Sequence, residues 1–278
     1  VAWALKEMDN CDPARSEMGV VVAIELARMC ARYGHGLKAA GLLSAAKVQA
    51  RKMKEPKSLR AVSRAALDSA RLTGARDPEA CSRLLQTGLD TAFQLRWWMQ
   101  DATPLRYALG ALTELTPKLP SEAGEILLDP QLLRRIRRLE PELFPEALAS
   151  FNALTERLLR DPDEQTKKSA TERAFWALRE AQACQAACPA VFRMPNGESV
   201  VTAALASGLA CVRARQHISQ WLLKAVVGSL DSEDPDYARH LDMVGDTAAH
   251  IALRQAQIGP ASSAADCVVT AVADCCDG

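Results

Sequence analysis

The stretch Glu198 to Gly228, ESVVTAALASGLACVRARQHISQWLLKAVVG, is the longest markedly apolar run in the chain, and its periodicity decides the fold class. Asn196-Gly197 marks a turn before it, and Ser199 stands where an N-cap would, one residue ahead of Val200. Val201, Leu205, Leu209, Val212, Ile218, Leu222 and Val226 then recur at close to helical spacing. Gly228 sits at a C′ position before a polar run. Arg213 and Arg215 interrupt the apolar residues too early for a membrane span, so the stretch reads as a core helix.

The rest of the chain follows the same rule. Over 278 residues, hydrophobic residues make up 49% and charged residues 24%, the balance of a folded protein with ample core. Alanine and leucine, strong helix formers, run through almost every segment, whereas strand-favouring residues are scarce. Pro, Gly and Asp punctuate the chain at short intervals. Asp12-Pro13, Asp77-Pro78, Asp161-Pro162 and Asp234-Pro235 read as caps followed by a proline at the first helical position. The expected fold is all-α, with about a dozen helices joined by tight turns and neighbours antiparallel. The chain reads as a single domain over 1–278, with Pro117 to Pro130 as the best candidate for an internal boundary.

Two architectures fit such a chain: a right-handed stack of antiparallel helical hairpins, that is an α-solenoid, or a globular helical bundle. A weak internal echo favours the first. Trp3-Ala4-Leu5, Tyr107-Ala108-Leu109, Trp176-Ala177-Leu178 and Ile251-Ala252-Leu253 share a pattern, and the first two intervals are close to multiples of about 35 residues. Ala2-Trp3-Ala4-Leu5 and Phe175-Trp176-Ala177-Leu178 resemble the aromatic-Ala-Leu cores of organellar helical-repeat proteins of the octotricopeptide or pentatricopeptide kind. That resemblance implies RNA binding along a concave solenoid face and membership of a large organellar assembly. It carries over no base-reading position, because no unit here shows a complete repeat consensus.

Net charge is zero but unevenly spread. Residues 1–139 carry 22 basic against 15 acidic residues and the remainder 12 against 19; between Arg28 and Arg76 there are 12 basic residues against only Glu55 and Asp68. Such asymmetry points the first half at nucleic acid or at an acidic protein surface. The basic residues concentrate in two places. Lys47, Arg51, Lys52, Lys54, Lys57, Arg60 and Arg64 span the end of one helix, a turn at Pro56 and the start of the next. Arg134, Arg135, Arg137 and Arg138 surround Ile136 in a short helix over 131–139. These eleven residues are the expected RNA-binding set, through phosphate rather than base contacts, because neither cluster contains an aromatic residue; Trp97-Trp98 lies elsewhere in sequence.

Other constellations are weaker. Asp242, Asp246 and His250 fall on one helix face at spacing four, but a divalent metal would need further ligands, and the same spacing describes a solvated flank. His217 sits within the apolar run as a core or boundary histidine. The nine cysteines lack paired zinc-ligand spacing, and Cys30, Cys81, Cys184 and Cys211 stand where a helix would accept alanine, as buried reduced thiols do. There is no glycine-rich phosphate loop. The expectation is a non-catalytic protein without cofactor or metal, binding RNA, with a protein–protein scaffold as the alternative and a metal-dependent helical enzyme as the third reading. A reducing intracellular compartment is expected. The chain begins at Val1 rather than methionine, so a mitochondrial transit peptide could have preceded it.

Overall fold

The computed structural model describes residues 13–115, 119, 130–187, 193–214 and 226–258. Trp3, His217, Cys188, Cys267, Cys275, Cys276 and nearly all of the Pro117–Pro130 segment lie outside them. The regular structure described is helical, and its β component is one isolated bridge between Arg193 and Ser199. In chain order the helices are α1 (Pro13–Arg32), α2 (Gly36–Lys52), α3 (Pro56–Thr73), α4 (Pro78–Met99), α5 (Thr103–Leu115), α6 (Pro130–Leu139), α7 (Phe144–Leu158), α8 (Glu164–Ala187), α9 (Val200–Ala214) and α10 (Tyr237–Ile258). The fold is all-α. The chain divides into two compact units, Val1–Leu154 and Thr155–Gly278, with the division inside α7 rather than near 117–130.

Local chemistry explains most helix starts. Asp77 precedes Pro78, and its carboxylate accepts the Ala80 backbone N–H at 3.1 Å, filling one of the donors that a helix start leaves open. Ser199 Oγ does the same for Thr202 N–H at 3.1 Å. One start differs from expectation. Pro56, read as a turn between two helices, is itself the first residue of α3, with Glu55 as the cap residue. Proline is tolerated there because the missing N–H would have had no partner in the first turn.

Within the first unit each helix packs on the next and on the next but one: α1 on α2 and α3, α2 on α3 and α4, α3 on α4 and α5. Side-chain pairs give the directions. Arg60 meets Asp101 at 2.7 Å just ahead of α5, and Arg71 meets Glu114 at 2.8 Å near its end, so α3 and α5 run the same way. Gly36 at the start of α2 abuts Ala80 at the start of α4, and Lys47 meets Asp90 further along both, so α2 and α4 are also parallel. Consecutive helices are therefore antiparallel. This is a stack of hairpins, the first of the two architectures. Its unit is longer than the 35-residue echo: pairs between equivalent helices cluster at 41 to 45 residues, with Asp68–Tyr107 at 39 and Arg71–Tyr107 at 36. That length is typical of larger two-helix repeats.

Small residues let the hairpins close. An ideal Cβ at Gly88 would lie 2.6 Å from Leu67 Cδ2, and Ser63 on α3 donates to the Gly88 carbonyl at 3.0 Å, so α3 and α4 cross where only a hydrogen fits. Leu59, Val62, Ala66 and Ala70 fill the rest of that contact at helical spacing, all fully buried. On α1 the packed residues are Val20, Ala23, Ile24, Ala27 and Ala31. Met18, Val21, Val22 and Met29 are exposed, Met18 by 67%. The alanines win the inner face because they allow closer approach to α2 and α3.

In the second unit α8 packs on α9 and α9 on α10. Most of the described part of the Glu198–Gly228 stretch is α9, with Val200, Val201, Ala204, Leu205, Leu209 and Val212 buried. Arg213 lies at its exposed end and donates to Thr247 Oγ1 on α10 at 2.7 and 3.0 Å, as expected of an edge residue in a stack. No helix among the described residues is long and apolar enough to cross a membrane.

Candidate functional site

Helix α6 is the element that reorganises the two basic clusters. Arg134, Arg135, Arg137 and Arg138 do not prevent its burial, because Leu132, Leu133 and Ile136 form a stripe at three- and four-residue spacing, and Ile136 is fully buried. Arg135 and Arg138 are thereby exposed along one rim, while Arg134 and Arg137 are half-buried. Arg135 lies over the ring of Phe93 on α4, its guanidinium 3.9 Å from the centroid, a cation–π contact. Arg96 on α4 donates to Glu140 and, at 3.3 Å, to the Leu139 carbonyl, tying the end of α6 to the same helix.

The result is an open groove of about 580 Å³ between α2, α4 and α6. Lys47 and Arg51 line it from α2, and Arg135 and Arg138 from α6. Its floor is one face of α4: Asp90, Phe93, Gln94, Trp97 and Trp98, at spacings of three, four, seven and eight from Asp90. Trp97 is 74% exposed and Trp98 38%. The expectation that aromatic residues lie away from the basic clusters is thus corrected. The two clusters are brought together, and the tryptophans stand between them.

Two further groups went unrecognised in the sequence. Asp90 receives Lys47 Nζ at 3.1 Å on one oxygen and Arg135 at 3.7 Å on the other, so one carboxylate bridges the two basic rims. Gln94 Nε2 is buried in the groove wall and has no hydrogen-bond acceptor among the described residues. Such a donor is costly to leave unmade. The available signal was the spacing itself: Asp90, Gln94 and Trp97-Trp98 share a helix face, one repeat unit after Lys47.

The remaining basic residues divide. Lys52, Lys54 and Lys57 are exposed at the α2–α3 turn outside the groove, and Lys54 takes a left-handed backbone conformation with φ 54°. Arg60 and Arg64 point along α3 toward α5. Arg60 pairs with Asp101, whose pKa is lowered chiefly by the Thr103 backbone N–H it accepts and then by Arg60 itself. Arg64 lies 5.9 Å from the Tyr107 ring centroid. Tyr107 in turn donates to Asp68 at 2.5 Å and accepts from Arg71 at 2.6 Å. Those contacts are structural pairs between repeat units.

The sequence matches no protein-family model and no curated protein. Among solved structures, it is similar to a "Circular tandem repeat protein with novel repeat topology and enhanced subunit contact surfaces", at 13% identity and a TM-score of 0.27. That alignment covers 99% of this chain, which spans 63% of the other's length. A second similar structure, from "Computational Design of Self-Assembling Cyclic Protein Homooligomers", aligns over 93% of this chain and 95% of its own at 13% identity and a TM-score of 0.18. TM-scores this low establish no shared fold, and the architecture rests on the helix packing described above.

The other candidates assemble less. Asp242, Asp246 and His250 are all exposed on α10, and no group of three or more potential metal ligands occurs among the described residues. His240, on another face of α10, is buried with Nε2 2.8 Å from Thr202 Oγ1, and burial lowers its pKa. Cys81, Cys184 and Cys211 are buried and Cys30 is half-buried. Burial pushes the Cys211 thiol up to about 12.

Proposed function

We propose that the protein is a non-catalytic helical-repeat scaffold that docks RNA in the groove between α2, α4 and α6, as a subunit of a larger assembly. One observation carries this reading: four cations from clusters far apart in sequence line a single groove that contains two solvent-facing tryptophans. Among the described lining residues Asp90 alone opposes them, which leaves that lining with a net positive charge. A polyanion with planar bases satisfies both features, because phosphates pair with Lys and Arg while any base can stack on an indole. The expected RNA-binding set thereby narrows. Lys47, Arg51, Arg135 and Arg138 belong to the docking surface proper; Arg60 and Arg64 serve the stack. Lys52, Lys54 and Lys57, exposed beside it, and Arg134 and Arg137 on the same short helix add to the local field.

A protein-facing role has its own support on α1, where Met18, Val22, Met29 and Tyr33 are exposed at helical spacing. An apolar strip of this kind suits a subunit contact.

Fluorescence anisotropy of a labelled RNA across a salt series tests the proposal. The protein is expected to bind with an affinity that falls steeply with salt. Arg51→Gln with Arg138→Gln, both at exposed positions, is expected to weaken binding at least about tenfold and to make the log–log salt slope shallower by about one or more. An affinity and slope unchanged in that variant would overturn it. RNA refused altogether, with an acidic protein retained, would favour the protein–protein scaffold.

A further inference from the structure

Phosphate pairing alone leaves two features of the groove without a use: an indole 74% exposed at Trp97 and an amide donor, Gln94 Nε2, buried without an acceptor. Both residues lie on the α4 face that carries Asp90 and line the groove; Trp97 confronts whatever the basic rims hold, and the Gln94 amide, its Nε2 now turned inward, reaches the same space by rotation of its side chain. Exposing an indole to water forgoes the burial that tryptophan usually finds, and a buried N–H without an acceptor forgoes a hydrogen bond. One class of ligand supplies both remedies together with the negative charge. A nucleotide that is not base-paired has a bare π face and free acceptors on its base edge, while a duplex hides both inside the helix.

We infer that the groove selects unpaired RNA: a phosphate bridges Lys47 and Arg135 where Asp90 now does, the base stacks on Trp97, and the base edge accepts a hydrogen bond from Gln94. This rests on the RNA-docking reading above and adds to it the kind of RNA. Asp90 shows that the bridging geometry is available, since its two oxygens already engage one cation from each rim.

The test compares a single-stranded oligouridylate of about twelve nucleotides with an RNA duplex of the same length, within the range such sites cover. Each is titrated into the wild-type chain, Trp97→Ala, Trp97→Phe and Gln94→Leu. Single-stranded RNA is expected to bind at least about tenfold tighter than duplex. Trp97→Ala is expected to lose about tenfold or more on the single strand and little on the duplex, the cost of one lost stacking platform. Trp97→Phe keeps most of the affinity, and Gln94→Leu loses a smaller part of it. Because Trp97 is largely solvent-exposed, its truncation spares the core.

Equal affinity for single strand and duplex, or Trp97→Ala without effect on either, would overturn the inference while leaving RNA docking intact. Loss of both RNAs in Arg51→Gln with Arg138→Gln, alongside an unaffected Trp97→Ala, would assign binding to phosphates alone. Failure of the wild-type chain to bind either RNA would overturn both readings at once.

Discussion

Lys47 on α2 is held by Asp90 on α4, Nζ to Oδ2 at 3.1 Å, across 43 residues of sequence. The same carboxylate takes Arg135 from α6 through its second oxygen, 3.7 Å away. Asp90 thus occupies the place between the two basic rims where a phosphate would sit. Asp90→Asn is expected to strengthen RNA binding several-fold at low salt and to steepen the salt dependence by about one unit, since two cations are released to phosphates. The folded state should lose no more than about 1 kcal/mol, because both pairs are partly exposed. Weaker binding in this variant would mean that Asp90 positions the cations rather than competing for them.

Gly88 tests the hairpin stack. A glycine-to-alanine change inside a helix ordinarily gains about 1 kcal/mol. Here the added methyl would sit 2.6 Å from Leu67 Cδ2, and overpacking of that kind costs about 1–3 kcal/mol. Gly88→Ala should therefore lower the thermal midpoint by several degrees. Pairing it with Leu67→Ala should cost less than the two single changes together, because the smaller side chain makes room. Strict additivity in that double-mutant cycle would place the two residues out of contact.

Cys211 reports on burial in the second unit. With its pKa pushed from 9.0 up to about 12 by burial, the thiol stays protonated at pH 8 and resists iodoacetamide until the unit opens. The half-buried Cys30 should react faster. The sign for stability follows from the raised value. Below about pH 9 the thiol is neutral in folded and unfolded chains alike, and its contribution is fully present. As pH rises from there toward 12 the unfolded chain loses the proton first, and that contribution is lost. Mass spectrometry of alkylated native protein measures the first effect and an alkaline denaturation series the second. Rapid labelling of Cys211 at pH 8 would contradict its placement against α8.

Replacing Asp242, Asp246 and His250 together by alanine should change the midpoint of unfolding by no more than a surface substitution does, about 0.5 kcal/mol per site. RNA affinity is expected to be unchanged. Divalent metal retained stoichiometrically by the native chain and lost in this variant would restore the metal-site reading of that helix face.

The local rules were readable in the chain and the pairing was not. Asp77 ahead of Pro78 and Ser199 ahead of Val200 announced helix starts through side chains that reach only three residues onward. The all-α class followed from composition and period, and the hairpin arrangement from the shortness of the turns. The site depends on contacts 42 to 45 residues apart, which no local pattern encodes. Trp97 and Arg135 are distant in sequence, and α6 meets α4 through Arg135 over Phe93 and Arg96 reaching Glu140 and Leu139. The inward face of α1 is hidden in the sequence for a related reason. Periodicity marks a helix, but both Met18 and Ala23 fit it, and close packing against two neighbours chose the smaller residues.

Photo-cross-linking of 4-thiouridine-substituted single-stranded RNA to the native chain, with the linked peptides mapped by mass spectrometry, addresses the groove most directly. The account predicts cross-links on the α4 peptide containing Trp97 and Trp98, joined by peptides from the end of α2 and from α6, and their loss in Trp97→Ala. Cross-links confined to α8, α9 or α10, or spread evenly over exposed lysines, would contradict it.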